Sequence, residues 1–210
     1  MNTTTHTNTT QPEKNADLHG SAPDNSDVAL ILIDVINDLE FPEGDQLLKH
    51  ALPMAERLAR LAGRAREADV PVIYVNDNFG RWRSDFGAQV EHCLKDRVRG
   101  EPLARKLKPK PDDYFVLKPK HSGFFETTLD TLLKHLGVRT VILTGVATNI
   151  CVLFTANDAY MHDLSIVVPS DCVAANTEEL NRYALEQMRT VLKAKVLPSD
   201  KIELGKSSPV

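Results

Sequence analysis

The chain has 210 residues, of which 42% are hydrophobic and 26% charged, and its net charge is -4. Such a chain suits one soluble domain with a sizeable core, and it makes no electrostatic case for nucleic acid or an anionic membrane as partner. Its three cysteines, Cys93, Cys151 and Cys172, argue against a disulfide framework and for a reducing, cytoplasmic setting, and no CxxC pair points to structural zinc.

In chain order, residues 1–27 are rich in Thr, Asn and Ser and nearly devoid of large apolar residues. They read as a disordered tail, and without an apolar central run they are not a secretory signal. No stretch approaches the roughly 18–20 apolar residues of a membrane span. Residues 28–34, VALILID, are apolar throughout and end in a carboxylate, the pattern of a strand covered on both faces. Residues 41–44, FPEG, mark a loop. Leu58, Leu61, Ala62 and Ala65 then recur at helical spacing. VPVIYV at 70–75 is a second strand, followed by a polar and aromatic loop over 76–86 expected to cross the carboxyl end of the sheet. A helix surrounds 89–94, and 99–113, with three prolines and many charges, reads as a connection. YFVLK at 114–118 is a third strand. Leu129, Leu132, Leu133 and Leu136 form one helical face, stopped by Gly137. A fourth strand begins at Thr140, a fifth spans 164–168, and a sixth spans 194–197. Between the last two, Leu180, Ala184, Met188 and Val191 are expected to face inward on a long helix. The residues after Pro198 read as a polar tail.

Strands alternating with helices imply right-handed βαβ units. The expected fold is an α/β three-layer α/β/α sandwich around a mostly parallel, about six-stranded sheet of Rossmann-like type. One domain is expected over 28–198, flanked by tails at 1–27 and 199–210. Functional groups in such folds collect at the carboxyl ends of the strands. Asp34 ends the first strand, Lys118 ends the third, and Cys151 follows the fourth, so three chemically apt residues share one sheet edge. Thr148 is the expected N-cap of the helix carrying Cys151, and a thiol in a first helical turn is favoured as thiolate by the helix dipole. Each residue alone has a plainer role. Asp34 fits a turn carboxylate, Lys118 a surface charge, and Cys151 a small core residue. Cys93 and Cys172 read as structural; His92, His121 and His162 are ligands or bases in principle, but without an i, i+4 His pair or a dense metal cluster they read as solvated or hydrogen-bonded side chains. Phosphate-loop motifs are absent.

Three blocks then carry a family resemblance: Leu32-Ile33-Asp34 with Asn37-Asp38, VLKPKHSGF at 116–124, and TGVATNICV at 144–152. In that order they resemble the isochorismatase-like cysteine hydrolases, a group that includes nicotinamidases and N-carbamoylsarcosine amidohydrolase. The resemblance spans about 28–197. It implies Asp34, Lys118 and Cys151 as a catalytic triad. It also implies a cis peptide at Val146-Ala147 and an oxyanion hole built from the Ala147 and Cys151 N–H groups. Where nicotinamidases carry an Asp-x-His zinc motif, this chain has Asp77-Asn78-Phe79, so neither metal nor other cofactor is assigned. Isochorismatases proper lack the nucleophilic cysteine. Its presence here favours C–N bond hydrolysis of a small carboxamide or carbamoyl compound over vinyl-ether hydrolysis. A redox-sensing thiol domain is the non-enzymatic alternative. Asn76, Asn78, Phe79, Arg81 and Trp82 lie in the loop expected to cover the site and are candidate substrate contacts, with a surface or subunit-contact loop as the equal alternative; Arg83 is a further candidate for an anionic substrate. The resemblance also implies a homodimer or homotetramer.

Overall fold

The computed structural model describes residues 22, 24–79 and 85–204. Seven strands form one parallel sheet: β1 (Val28–Ile33), β2 (Val72–Asp77), β3 (Tyr114–Lys118), β4 (Thr140–Val146), β5 (Ser165–Pro169), β6 (Val173–Ala174) and β7 (Lys195–Leu197). Their spatial order is β3-β2-β1-β4-β5-β7, and the two-residue β6 pairs with β4 off that path. The helices are α1 (Gly44–Glu67), α2 (Phe86–Lys95), α3 (Glu101–Lys106), α4 (Leu129–Leu136), α5 (Leu153–Met161) and α6 (Glu178–Thr190).

Alternate residues of a strand point to opposite faces, and here both faces are covered. Leu30 and Leu32 pack with Leu47, Ala51, Leu58 and Leu61 of α1, and with Phe86, Cys93 and Leu103 of α2 and α3. Ala29, Ile31 and Ile33 pack with Leu129, Leu133 and Leu136 of α4, Ala156 and Ala159 of α5, and Met188 of α6. The fold is therefore a three-layer α/β/α sandwich, with three helices on each face of the sheet. From β1 the chain moves outward through β2 to β3, then returns to place β4 on the other side of β1. The sheet edge at the carboxyl ends of β1 and β4 is thus a topological switch point, where open α/β sheets hold their ligands.

Gly145 sets how closely those two strands approach. Its φ is +104°, and a Cβ there would stand 2.1 Å from the Ile33 carbonyl oxygen. Both the backbone conformation and the contact with a rigid neighbour exclude a side chain. Gly145→Ala is expected to cost about 2 kcal/mol or more in urea unfolding; a variant as stable as the parent would show that the strands can separate.

Several elements differ from the sequence-based expectation. The connection over 99–113 contains α3, whose Pro102 sits in the first turn, where a missing N–H costs nothing. Asn76 and Asp77 belong to β2 and not to the following loop. On α6, Ala184 and Met188 are buried as expected, but Leu180 and Val191 are 40% and 59% exposed. The two ends flanking the domain are also more engaged than tails. Ser26 N–H donates to Leu136 O at 2.9 Å, and Tyr114 Oη donates to Asp24 at 2.7 Å. Ile202 and Leu204 are buried against the α1 face of the sheet, and the Arg64 guanidinium donates to the carbonyls of Ser199 and Ile202. The segment is docked by these two apolar side chains against the apolar stripe of α1, by Arg64, and by Ser199, whose N–H and Oγ both donate to Asp171. Among the described residues no helix is long and apolar enough to cross a membrane.

Candidate active site

Asp34 follows β1 directly, in a left-handed conformation with φ 52° that Asp tolerates better than most residues. Its side chain is nearly buried. Oδ1 accepts from the Asp77 N–H at 2.7 Å, and Oδ2 lies 2.8 Å from Lys118 Nζ. Lys118 ends β3, two strands from β1, and its long stem spans the end of β2 to reach that carboxylate. Its side chain is 0% exposed, so this ammonium needs charged partners. It has two, Asp34 and Asp77, whose Oδ2 lies at 3.5 Å, and it also donates to Cys151 Sγ at 3.5 Å.

Cys151 sits in a π-helical turn, Thr148–Val152, that leads from β4 into α5. The Val146–Ala147 peptide bond is cis. Ala147, not Thr148, caps the turn: its carbonyl accepts from Ile150 N–H at 3.0 Å and from Val152 N–H at 3.3 Å. The Thr148 hydroxyl instead donates to Asn181 of α6. A hydrogen bond to a neighbouring helix has displaced the local capping role.

The electrostatics also differ from the expectation of a resting thiolate. Burial pushes the Cys151 thiol well above its ordinary value, and the Asp34 charge pushes it the same way, while Lys118 opposes them. Burial likewise raises the Asp34 carboxyl, against the pull of Lys118. For Lys118, burial favours the neutral amine, but Asp34, Cys151 and Asp77 outweigh it and hold the ammonium. The dipole of one helical turn is worth only about 0.3–1 kcal/mol, too little against desolvation. The resting arrangement is therefore a thiol beside a carboxylate made more basic by burial, with a fixed cation touching both. Iodoacetamide alkylation of Cys151 is expected to be slow at neutral pH and to keep accelerating beyond pH ~8.5, the ordinary thiol value. A plateau below about pH 7 would indicate a resting thiolate and overturn this picture.

Of the candidate substrate contacts, Asn76 is fully buried and donates to Ile36 O at 2.8 Å, so it secures the segment after β1 and does not face a ligand. Gln89 of α2 donates to the same carbonyl at 2.9 Å. Asn78 is largely buried, and its N–H donates to Lys118 O at 3.0 Å. Phe79 is 43% exposed. Arg81, Trp82 and Arg83 lie outside the described residues. Asp77 is occupied by Lys118 and by the Phe79 N–H at 2.6 Å, and among the described residues no three His, Cys, Asp or Glu side chains gather as metal ligands. Cys93 and Cys172 are buried, each with its thiol pushed up to about 12, chiefly by burial.

One neighbour of the thiol, His121, is a residue for which the sequence favours a solvated or hydrogen-bonded role over that of ligand or base. His121 Nδ1 lies 3.9 Å from Cys151 Sγ. Its place three residues after Lys118, in a short loop bound to return along the same sheet edge, was the available signal.

The isochorismatase domain family matches residues 28–200. The chain is 44% identical to the isochorismatase family protein YaaI of Bacillus subtilis over 177 residues, covering 84% of this chain and 97% of that protein. It is 30% identical to the ureidoacrylate amidohydrolase RutB of Methylobacterium radiotolerans over 187 residues, covering 77% of this chain and 72% of RutB. The solved structure of N-carbamoylsarcosine amidase from Thermoplasma acidophilum superposes with a TM-score of 0.63 at 29% identity, covering 84% of this chain and 98% of that one. With three side chains converging at the topological switch point, these likenesses establish that the chain belongs to the isochorismatase family of hydrolases.

Proposed function

We infer that this hydrolase cleaves a C–N bond of a small carboxamide or carbamoyl compound through a thioester on Cys151. The observation that carries the reading is the buried Lys118 ammonium, in contact with the Asp34 carboxylate at 2.8 Å and the Cys151 sulfur at 3.5 Å. Vinyl-ether hydrolysis needs only water and no nucleophile from the protein, and a thiol held between a base and a cation suits acyl transfer better. Two relatives are named for amide chemistry, ureidoacrylate amidohydrolase and N-carbamoylsarcosine amidase.

In the proposed sequence Asp34 takes the Cys151 proton as sulfur attacks the carbonyl carbon, and Lys118 steadies the charge moving between them. The N–H groups of Ala147 and Cys151 receive the developing oxyanion; such preorganised donors are often the largest single contribution to catalysis. Asp34 returns the proton to the departing nitrogen, and water hydrolyses the thioester. The scheme uses only this chain's residues and water. The enzyme is further read as a cytoplasmic homodimer or homotetramer, which light scattering would test.

The decisive experiment is intact-mass spectrometry during incubation with a panel of carboxamides and N-carbamoyl acids, with ammonia measured in parallel. The expected result is ammonia release and a transient acyl adduct mapped to Cys151. Neither product across the panel would overturn the reading.

A further inference from the structure

The sulfur of Cys151 has two different sides. Asp34 and Lys118 approach it from within the protein, nearly or wholly buried. His121 approaches from the solvent side, with an exposed imidazole whose Nδ1 is 3.9 Å from Sγ.

This placement is held by several contacts, all on the helical segment that carries the nucleophile. Ser122 Oγ donates to Asp158 of α5. Gly123 N–H donates to Thr155 Oγ1 at 3.0 Å, and that hydroxyl donates in turn to the Cys151 carbonyl at 2.7 Å. The His121 ring packs against Phe154, centroids 5.3 Å apart at 58°. The loop after Lys118 is therefore fastened to α5 at Ser122 and Gly123, directly after His121, and the imidazole itself lies against Phe154 of the same helix.

We propose that His121 is a further catalytic residue, the proton carrier for hydrolysis of the thioester. The proposal rests on the cysteine-hydrolase reading above. The two halves of the reaction differ in their proton needs. In acylation, the proton Asp34 takes from the thiol goes to the leaving nitrogen, so the carboxylate is regenerated. In deacylation, water must lose a proton and the departing sulfur must gain one. An acyl group on Sγ has protein on its inner side, so water reaches its carbonyl carbon from the open side, where the imidazole stands. The oxygen of water bonds to that carbon as one of its protons passes to the Nδ1 lone pair, the ring carrying its own proton on Nε2. The C–S bond then breaks with its electron pair on Sγ, and Nδ1 passes the proton to sulfur. Free acid and free thiol result, and the imidazole returns to its starting form. One atom within reach of both water and sulfur completes the transfer.

The test is stopped-flow hydrolysis of p-nitrophenyl acetate, which acylates a competent thiol without requiring the native substrate, combined with quenched intact-mass analysis. In His121→Ala, first-turnover release of nitrophenolate is expected within about twofold of wild type. Steady-state turnover should fall about 100-fold, with acetyl-Cys151 accumulating. Added imidazole should restore turnover by entering the space left by the ring. The proposal is overturned if both phases are unchanged, which would leave Asp34 serving both halves. It is equally overturned if both phases fall together, which would make His121 a positioning residue for the thiol, or if only KM rises, which would make it a substrate contact. A wild-type protein that takes no acyl group from this ester overturns it together with the cysteine mechanism. Acetylation by the ester without ammonia from any amide would sink the C–N reading alone.

Discussion

Cys151→Ala is expected to lower turnover of the best amide in the panel by about 10⁴-fold or more while leaving the protein folded. Removing a nucleophile from a catalytic unit that acts together typically costs this much, because the other members then have nothing to activate. Stability should change little, because the Asp34–Lys118 pair, at 2.8 Å, persists without the sulfur. The checks are ammonia release in steady state and a thermal melt on the same preparation. A variant that retains full activity would exclude the covalent route and return vinyl-ether or other non-covalent hydrolysis to first place.

Lys118→Met is expected to have the largest effect on stability of any single change in the site, about 3–5 kcal/mol. Methionine is near lysine in volume, so the loss comes from charge and not from a cavity. The variant leaves the Asp34 carboxylate buried with its backbone donor, the Asp77 N–H at 2.7 Å, but without its cation. In a chain of this size the melting midpoint should fall by roughly 2–4 °C per kcal/mol. The pH dependence has a definite sign. Burial already raises the Asp34 carboxyl in the folded state, and removing Lys118 raises it further. A carboxyl whose folded value exceeds its unfolded value favours folding at low pH, and that contribution is lost as pH rises through the folded value. The deficit of Lys118→Met relative to wild type should therefore be small in acid and grow toward neutral pH. Adding Asp34→Asn should recover most of the stability and none of the activity. A single variant as stable as the parent at pH 7 would mean that the pair is not desolvated as described.

Much of this fold is legible in the sequence, because a parallel sheet buried on both faces leaves uninterrupted apolar runs. VALILI of β1 and TVIL of β4 cannot be accommodated at a surface. The carboxyl ends of those runs are legible for the same reason: a charged or reactive residue directly after such a run must sit at the sheet edge. That is how Asp34, Lys118 and Cys151 can be picked out before any geometry is known. What the sequence conceals depends on distance across the fold. The resting state of Cys151 is set by burial and by Asp34, which arrives from another strand, and not by the helical turn alone. Asn76 looks like a loop residue facing a ligand, yet β2 runs one residue past it and turns its amide toward Ile36. His121 resembles any loop histidine until α5 is docked beneath it. Ile202 and Leu204 become core only because α1 presents them with a surface, and nothing local in residues 199–204 announces it.

The return of the chain from β3 to β4 has a consequence for how the protein comes into being. Asp34 and Lys118 both precede Cys151 in the chain, and β1, β2 and β3 can pair in the order in which they are made. The inner strand β4 arrives after all three and inserts beside β1. A growing chain has therefore made Asp34 and Lys118 before it has made Cys151. The three side chains can meet only once β4 has joined β1, so recovered activity is expected to mark that pairing and not the onset of folding.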